Sequence, residues 1–140
     1  FGGGVHSSFH VLVDSDAFVG WLYENDAHHE KTEQLFNMMK TRRLKLVTTS
    51  LVVGETATVL SNRKGQDLAR RFFKLVEKYP IIHITEKLHK ETASYFNSQE
   101  ARGTSFVDCS NVVTMKLLKI PQIFSFDKAY SKQFGVEMVT

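Results

Sequence analysis

A single cysteine, Cys109, in 140 residues rules out an intrachain disulfide framework. That scarcity fits a reducing compartment such as the cytoplasm. No apolar run approaches the roughly 20 residues that a membrane-crossing helix needs, so no membrane role is expected. Low-complexity segments and internal repeats are missing, and no linker invites a second domain. The start, Phe1-Gly2-Gly3-Gly4-Val5-His6-Ser7-Ser8, has neither the basic region nor the longer apolar stretch of a secretory signal. Residues 1–8 read as a flexible leader or cloning remnant, and residues 9–140 as one domain. Those glycines have no strand before them and no helix after them. A Walker-type Gly-Lys-Ser/Thr loop is also missing, so nucleoside triphosphate use has no support. Soft metal ligands do not cluster. Cys109 stands alone, and the adjacent His28 and His29 cannot share a helix face, so they read as solvated surface residues.

Eighteen Lys and Arg against 15 Asp and Glu give a formal charge of +3. That excess is compatible with a nucleic-acid partner without demanding one.

The hydrophobic pattern alternates between short β-branched runs and amphipathic stretches of helical period. Strands are expected at residues 9–13, 46–48, 81–84, 122–125 and 136–139. Helices are expected over 17–23, from Asp26 to about 41, from 50 to about 63, through Leu68 and Phe72 to Val76, from the Thr85 cap to about Arg102, and over 105–118. A short helical turn is expected at 128–134. This order predicts an α/β fold, a three-layer α/β/α sandwich with a mostly parallel central sheet.

In such sheets a site forms beyond the carboxyl ends of the strands. Asp14 follows the first expected strand and Asp127 the fourth. Glu55 lies between Leu51 and Val59 on a helix face expected to be buried, and Asp108 lies among Phe106, Val107, Val112 and Met115. A buried carboxylate without a partner is expensive. Each acid has an ordinary alternative: Asp14, Asp16 or Asp127 as a helix cap, Glu55 paired with Arg63, Asp108 in a first helical turn. Those alternatives do not account for all four together. Grouped carboxylates repel, and bound Mg²⁺ or Mn²⁺ removes that penalty with hard oxygen ligands. A carboxylate pocket with such a cation points to phosphoryl transfer, in which the metal activates water and neutralises developing charge.

These residues also carry a family resemblance. Val11-Leu12-Val13-Asp14-Ser15-Asp16-Ala17-Phe18 resembles the opening motif of PIN-domain nucleases. Thr49-Ser50-Leu51-Val52-Val53-Gly54-Glu55 resembles their second motif and Ser105-Phe106-Val107-Asp108-Cys109 their third. Phe124-Ser125-Phe126-Asp127-Lys128, followed by Phe134-Gly135-Val136, resembles the fourth. The order holds over roughly residues 9 to 139, and the nearest subgroup is the virulence-associated toxins of toxin–antitoxin pairs. The resemblance implies a PIN-like domain over 9–140 with Asp14, Glu55, Asp108 and Asp127 as catalytic metal ligands. It also implies Mg²⁺- or Mn²⁺-dependent cleavage of single-stranded or looped RNA, a homodimer, and a small antitoxin partner. Asp16 stands where a small polar residue, often Asn, is usual, so it is an accessory candidate or a cap. Ser125 stands where a hydroxyl orients Asp127 or water.

Arg42, Arg43 and Lys45 form a basic run that offers phosphate contacts. No stacking platform for bases is apparent in the sequence. Other readings are an RNA-processing or DNA-directed nuclease with the same chemistry, a non-catalytic RNA-binding or assembly module, and a haloacid-dehalogenase-type phosphatase. Asp14-Ser15-Asp16 resembles the opening of that last family. Phe18 replaces its usual Thr, however, and no late pair of acids follows.

Overall fold

The computed structural model describes residues 8–139. Apart from Ser8, the leader expected at residues 1–8 lies outside them. Five strands form one sheet in the order β3-β2-β1-β4-β5. They are β1 (Val11–Val13), β2 (Leu46–Thr49), β3 (Ile81–Ile82), β4 (Gln122–Phe124) and β5 (Glu137–Met138). Every neighbouring pair is parallel, with Leu12 opposite Val47 on one side and Ile123 on the other.

Alternation along these strands separates two cores. Val11, Val13 and Phe124 face one side, where Phe18, Leu35, Phe36, Val52, Leu60 and Phe72 cover them. These come from α1 (Ser15–Leu22), α2 (His29–Thr41), α3 (Ser50–Lys64) and α4 (Gln66–Val76). Leu12, Val47 and Ile123 face the other side, against Cys109, Val112, Met115, Tyr130 and Phe134. The layer there is α6 (Phe106–Leu118) and α7 (Ala129–Lys132), with Tyr95 of α5 (Glu86–Asn97) packed beside it. The architecture is the three-layer sandwich expected, with parallel pairing throughout the described sheet. No helix among the described residues is long and apolar enough to cross a membrane.

Some boundaries differ from the sequence expectation. The helix expected from Asp26 begins at His29, because the Asp26 carboxylate accepts the His28 amide (2.8 Å) and holds the preceding turn instead. The helix expected to reach Arg102 ends at Asn97, where the Ser98 hydroxyl bonds the Tyr95 carbonyl (2.6 Å). This outer helix buries only a narrow stripe, and Phe96 on it is 37% exposed. On α3 the buried residues are Val52, Val53, Thr56 and Leu60. The core face is therefore turned by one position from Leu51, Glu55 and Val59, and Glu55 is half-buried.

Strand order reverses between β1 and β4, since β2 and β3 lie to one side of β1 and β5 lies beyond β4. In open parallel sheets that switch point leaves a crevice at the carboxyl ends of the strands.

Candidate active site

The crevice is a cleft of about 520 Å³. Asp14, Asp16, Asp26, Glu55, Asp108 and Asp127 line it, and Arg63 and His28 are the basic side chains in its wall. The four acids singled out in the sequence thus share one cavity. Arg42, Arg43 and Lys45 do not line it. They precede β2, at the opposite end of the sheet from the crevice. The basic residue the cleft does hold, Arg63, projects from the last turn of α3.

Local structure explains each placement. Asp14 ends β1, where its amide donates to the Phe124 carbonyl of β4 (3.0 Å), and its carboxylate caps α1 by accepting the Ser15 amide (2.8 Å). The capping role considered for Asp16 therefore belongs to Asp14. Asp108 sits in the first turn of α6, whose N-cap Ser105 accepts the Asp108 amide (3.1 Å). A helix N-terminus favours an anion there. Glu55 accepts the Ser15 hydroxyl at 2.6 Å. Asp127 follows β4 and accepts the Ala129 amide (2.9 Å), starting α7. Asp16 reaches across from α1 to brace the same loop, accepting the Phe126 amide (2.9 Å) and the Ser125 hydroxyl (3.1 Å). Ser125 in turn accepts the Asp127 amide (3.1 Å).

Tyr130 and Asn111 were not singled out in the sequence. The Tyr130 hydroxyl, fully buried, lies 2.9 Å from Asp14 Oδ2 and 2.8 Å from Asp108 Oδ1. Asn111 donates to the same hydroxyl (3.0 Å) and to Asp14 Oδ1 (3.2 Å). Burial, then the Asp14 and Asp108 charges, push the phenol far up, so it stays a donor. It has one proton and two carboxylates to receive it. The second short contact is satisfied when one carboxyl carries a proton. Asp108 is suited to that, because burial and then the nearby acids raise it to about 7. Burial followed by the Asp14 charge likewise raises Asp16 to about 7, and burial raises Asp14. Tyr130→Phe keeps the ring and removes this bridge. It is expected to lower metal-free stability by about 1–3 kcal/mol, the cost of stranding buried polar partners. A denaturant melt without metal measures it, and an unchanged midpoint would remove the bridge from the account.

No three His, Cys, Asp or Glu side chains among the described residues stand close enough to hold a metal ion as placed. The acids are coupled instead through hydroxyls, Asp14 to Asp108 by Tyr130 and Glu55 to the Asp14 turn by Ser15. In kind and charge the donors suit a hard divalent cation. They are carboxylate oxygens in excess over one Arg and one His, and Asp16 Oδ1 is buried without a partner among the described residues. None of the ion pairs among the described residues involves a cleft acid.

No curated protein matches the chain by sequence. The fold is similar to that of VapC20 from Mycobacterium tuberculosis, described as a Sarcin-Ricin loop cleaving toxin. The TM-score is 0.82 at 23% identity, covering 90% of this chain and 95% of that one. It is also similar to VapBC2 from Rickettsia felis, solved with a DNA fragment from its promoter, with TM-score 0.71, 9% identity and coverage of 94% and 98%. A toxin–antitoxin complex from Klebsiella pneumoniae matches with TM-score 0.66, 11% identity and coverage of 93% and 96%. At these identities the likeness concerns the fold. The PIN domain family matches residues 11–133, a span that includes the cleft acids, and the chain belongs to that family.

Proposed function

We propose that the chain is a divalent-metal-dependent endoribonuclease that hydrolyses phosphodiester bonds of single-stranded or looped RNA, as the toxin of a toxin–antitoxin pair. The observation that carries this reading is the concentration of carboxylates in one crevice at the switch point of the sheet, with Arg63 and His28 as its basic residues. Asp14, Glu55, Asp108 and Asp127 are the residues that would hold Mg²⁺ or Mn²⁺. When bound, such a cation supplies an activated water and neutralises charge on the phosphate and leaving oxygen.

The chain's own residues prepare that site. Asp14 is fixed by the α1 cap, Tyr130 and Asn111. Ser15 aims Glu55. Asp16 and Ser125 hold the loop that carries Asp127. Arg63 is placed to meet the phosphate backbone. The fold likeness to toxins solved within toxin–antitoxin complexes supports a small protein inhibitor as partner, and the same subgroup suggests a homodimer. Cytoplasmic action fits the lone buried thiol of Cys109.

Matched RNA and DNA oligonucleotides of one sequence, incubated with Mn²⁺ or with chelator, test the reading. The expected result is cleavage of the RNA that stops with chelator. Intact RNA with metal present would overturn it, and faster DNA cutting would move the assignment to a DNA-directed nuclease.

A further inference from the structure

A row of aromatic rings runs from the core to the rim of the acidic cleft. Trp21 packs on Phe36 (4.6 Å between centroids), Phe36 on Phe124 (4.9 Å), and Phe124 on Phe126 (5.8 Å). The row ends in a change of geometry. The earlier contacts are tilted or edge-on, but His28 lies flat on Phe126, with centroids 4.0 Å apart and planes within 4°. His28 is exposed, Phe126 is half-buried, and both line the cleft. A ring stacked on one side has one face left.

The turn that carries the outermost ring is held in place from several directions. Asp26 accepts the His28 amide (2.8 Å), and the ring of His29 donates to the Gly20 carbonyl (2.8 Å). A Cβ at Gly20 would meet Thr32 Oγ1 at 2.7 Å and His28 Cβ at 3.6 Å, so the absence of a side chain there allows the turn to close against α1. The Phe126 amide donates a hydrogen bond to the Asp16 carboxylate (2.9 Å), and Phe126 is the residue before Asp127. The backbone beneath both rings is therefore held, and the stack stands one residue from a cleft carboxylate.

We propose that the outer face of His28, backed by Phe126, is a nucleobase subsite that stacks one base of an RNA strand whose phosphate lies in the acidic cleft. Every base has a π-face, and stacking on a fixed aromatic ring is a sequence-tolerant way to hold a single strand. It favours unstacked, single-stranded or looped RNA over duplex, because only an unpaired base can turn onto the ring. The cleft needs such an element. Its wall carries six acids against one Arg, so even with a cation bound few basic contacts remain for the rest of the strand. The subsite rests on the ribonuclease reading and adds to it the means of positioning the strand.

The test compares the parent with His28→Ala and His28→Phe on a short single-stranded RNA with Mn²⁺. His28→Ala is expected to raise KM by about tenfold, within the range found when base-stacking aromatics are removed, with kcat little changed and a melting temperature lowered only by the loss of one exposed ring contact. His28→Phe keeps the flat ring and is expected to stay within about twofold of the parent, on the same grounds of sequence-tolerant stacking. An abasic residue scanned along the RNA should cost the parent about tenfold at one position and cost His28→Ala nothing further there. A parental KM in His28→Ala, a His28→Phe variant as impaired as His28→Ala, or equal abasic losses in both proteins would overturn the subsite. Parent protein that cuts no RNA would overturn the ribonuclease reading and the subsite together. Parent that cuts RNA with His28→Ala unchanged removes the subsite alone.

Discussion

Asp108→Asn is expected to lower metal-dependent RNA cleavage by at least roughly 100-fold while the protein stays folded. Metal-ion catalysis contributes several kcal/mol to the transition state, and each 1.36 kcal/mol is about tenfold in rate. Asn has nearly the same shape as Asp but brings no negative charge to hold a cation. The structure argues against a fold-breaking effect. Asp108 lies in the first turn of α6, where its amide, which Asn retains, is the group bound to Ser105. Its carboxyl meets the Tyr130 hydroxyl at 2.8 Å, and an Asn amide can donate there in place of the protonated acid. Its acid is raised to about 7, first by burial and then by Asp14, Asp127 and Glu55, so a neutral side chain relieves repulsion in the metal-free protein. Stability without metal should hold level or rise, and stabilisation by added Mn²⁺ should shrink. A structural Asp108 would behave the opposite way, losing stability and keeping its rate per folded molecule. Cleavage kinetics with paired thermal melts separate the two.

The second large effect is a pH dependence that bound metal opposes. Asp16 and Asp108 move from 3.8 to about 7 on folding. Between about pH 4 and pH 7 the folded protein therefore binds more protons than the unfolded chain, and stability falls as pH rises through that window. Their contribution is fully present below the unfolded value and is lost as pH climbs through about 7. Divalent cations need the ionised carboxylates, so metal binding strengthens over the same range. A cation at 100 times its dissociation constant stabilises by about 2.7 kcal/mol. The gap between metal-loaded and metal-free melting temperatures should widen from pH 5 to pH 8. Calorimetry in both states checks it. A constant gap, or a metal-free protein that gains stability as the pH rises from 5 to 7, would contradict the assignment of these acids.

How far the site was legible in sequence depended on what each residue costs where it lies. A carboxylate on an apolar stripe is conspicuous, which is why Glu55 and Asp108 stood out. Asp14 and Asp127 stood out because they follow expected strands. Tyr130 was silent, because a Tyr in a short helical turn looks like any core aromatic. Its role depends on Asp14 and Asp108, 116 and 22 residues away, and appears only when the sheet brings them together. His28 beside His29 looked like a solvated pair, and its partner Phe126 lies on the far side of the switch point. The strand–helix alternation fixed the layers well. It was less informative about ends, since β3 is two residues long and the α3 core face is set by packing rather than by the spacing of Leu51, Glu55 and Val59. The basic run at Arg42, Arg43 and Lys45 carried no information about which end of the sheet it would occupy.

An anomalous-scattering map from crystals soaked in Mn²⁺ tests most directly whether this cleft is a metal site. The account predicts a peak inside the cleft, bonded at about 2–2.3 Å to carboxylate oxygens drawn from Asp14, Glu55, Asp108 and Asp127. A saturating soak that leaves those carboxylates without a peak between them would contradict it.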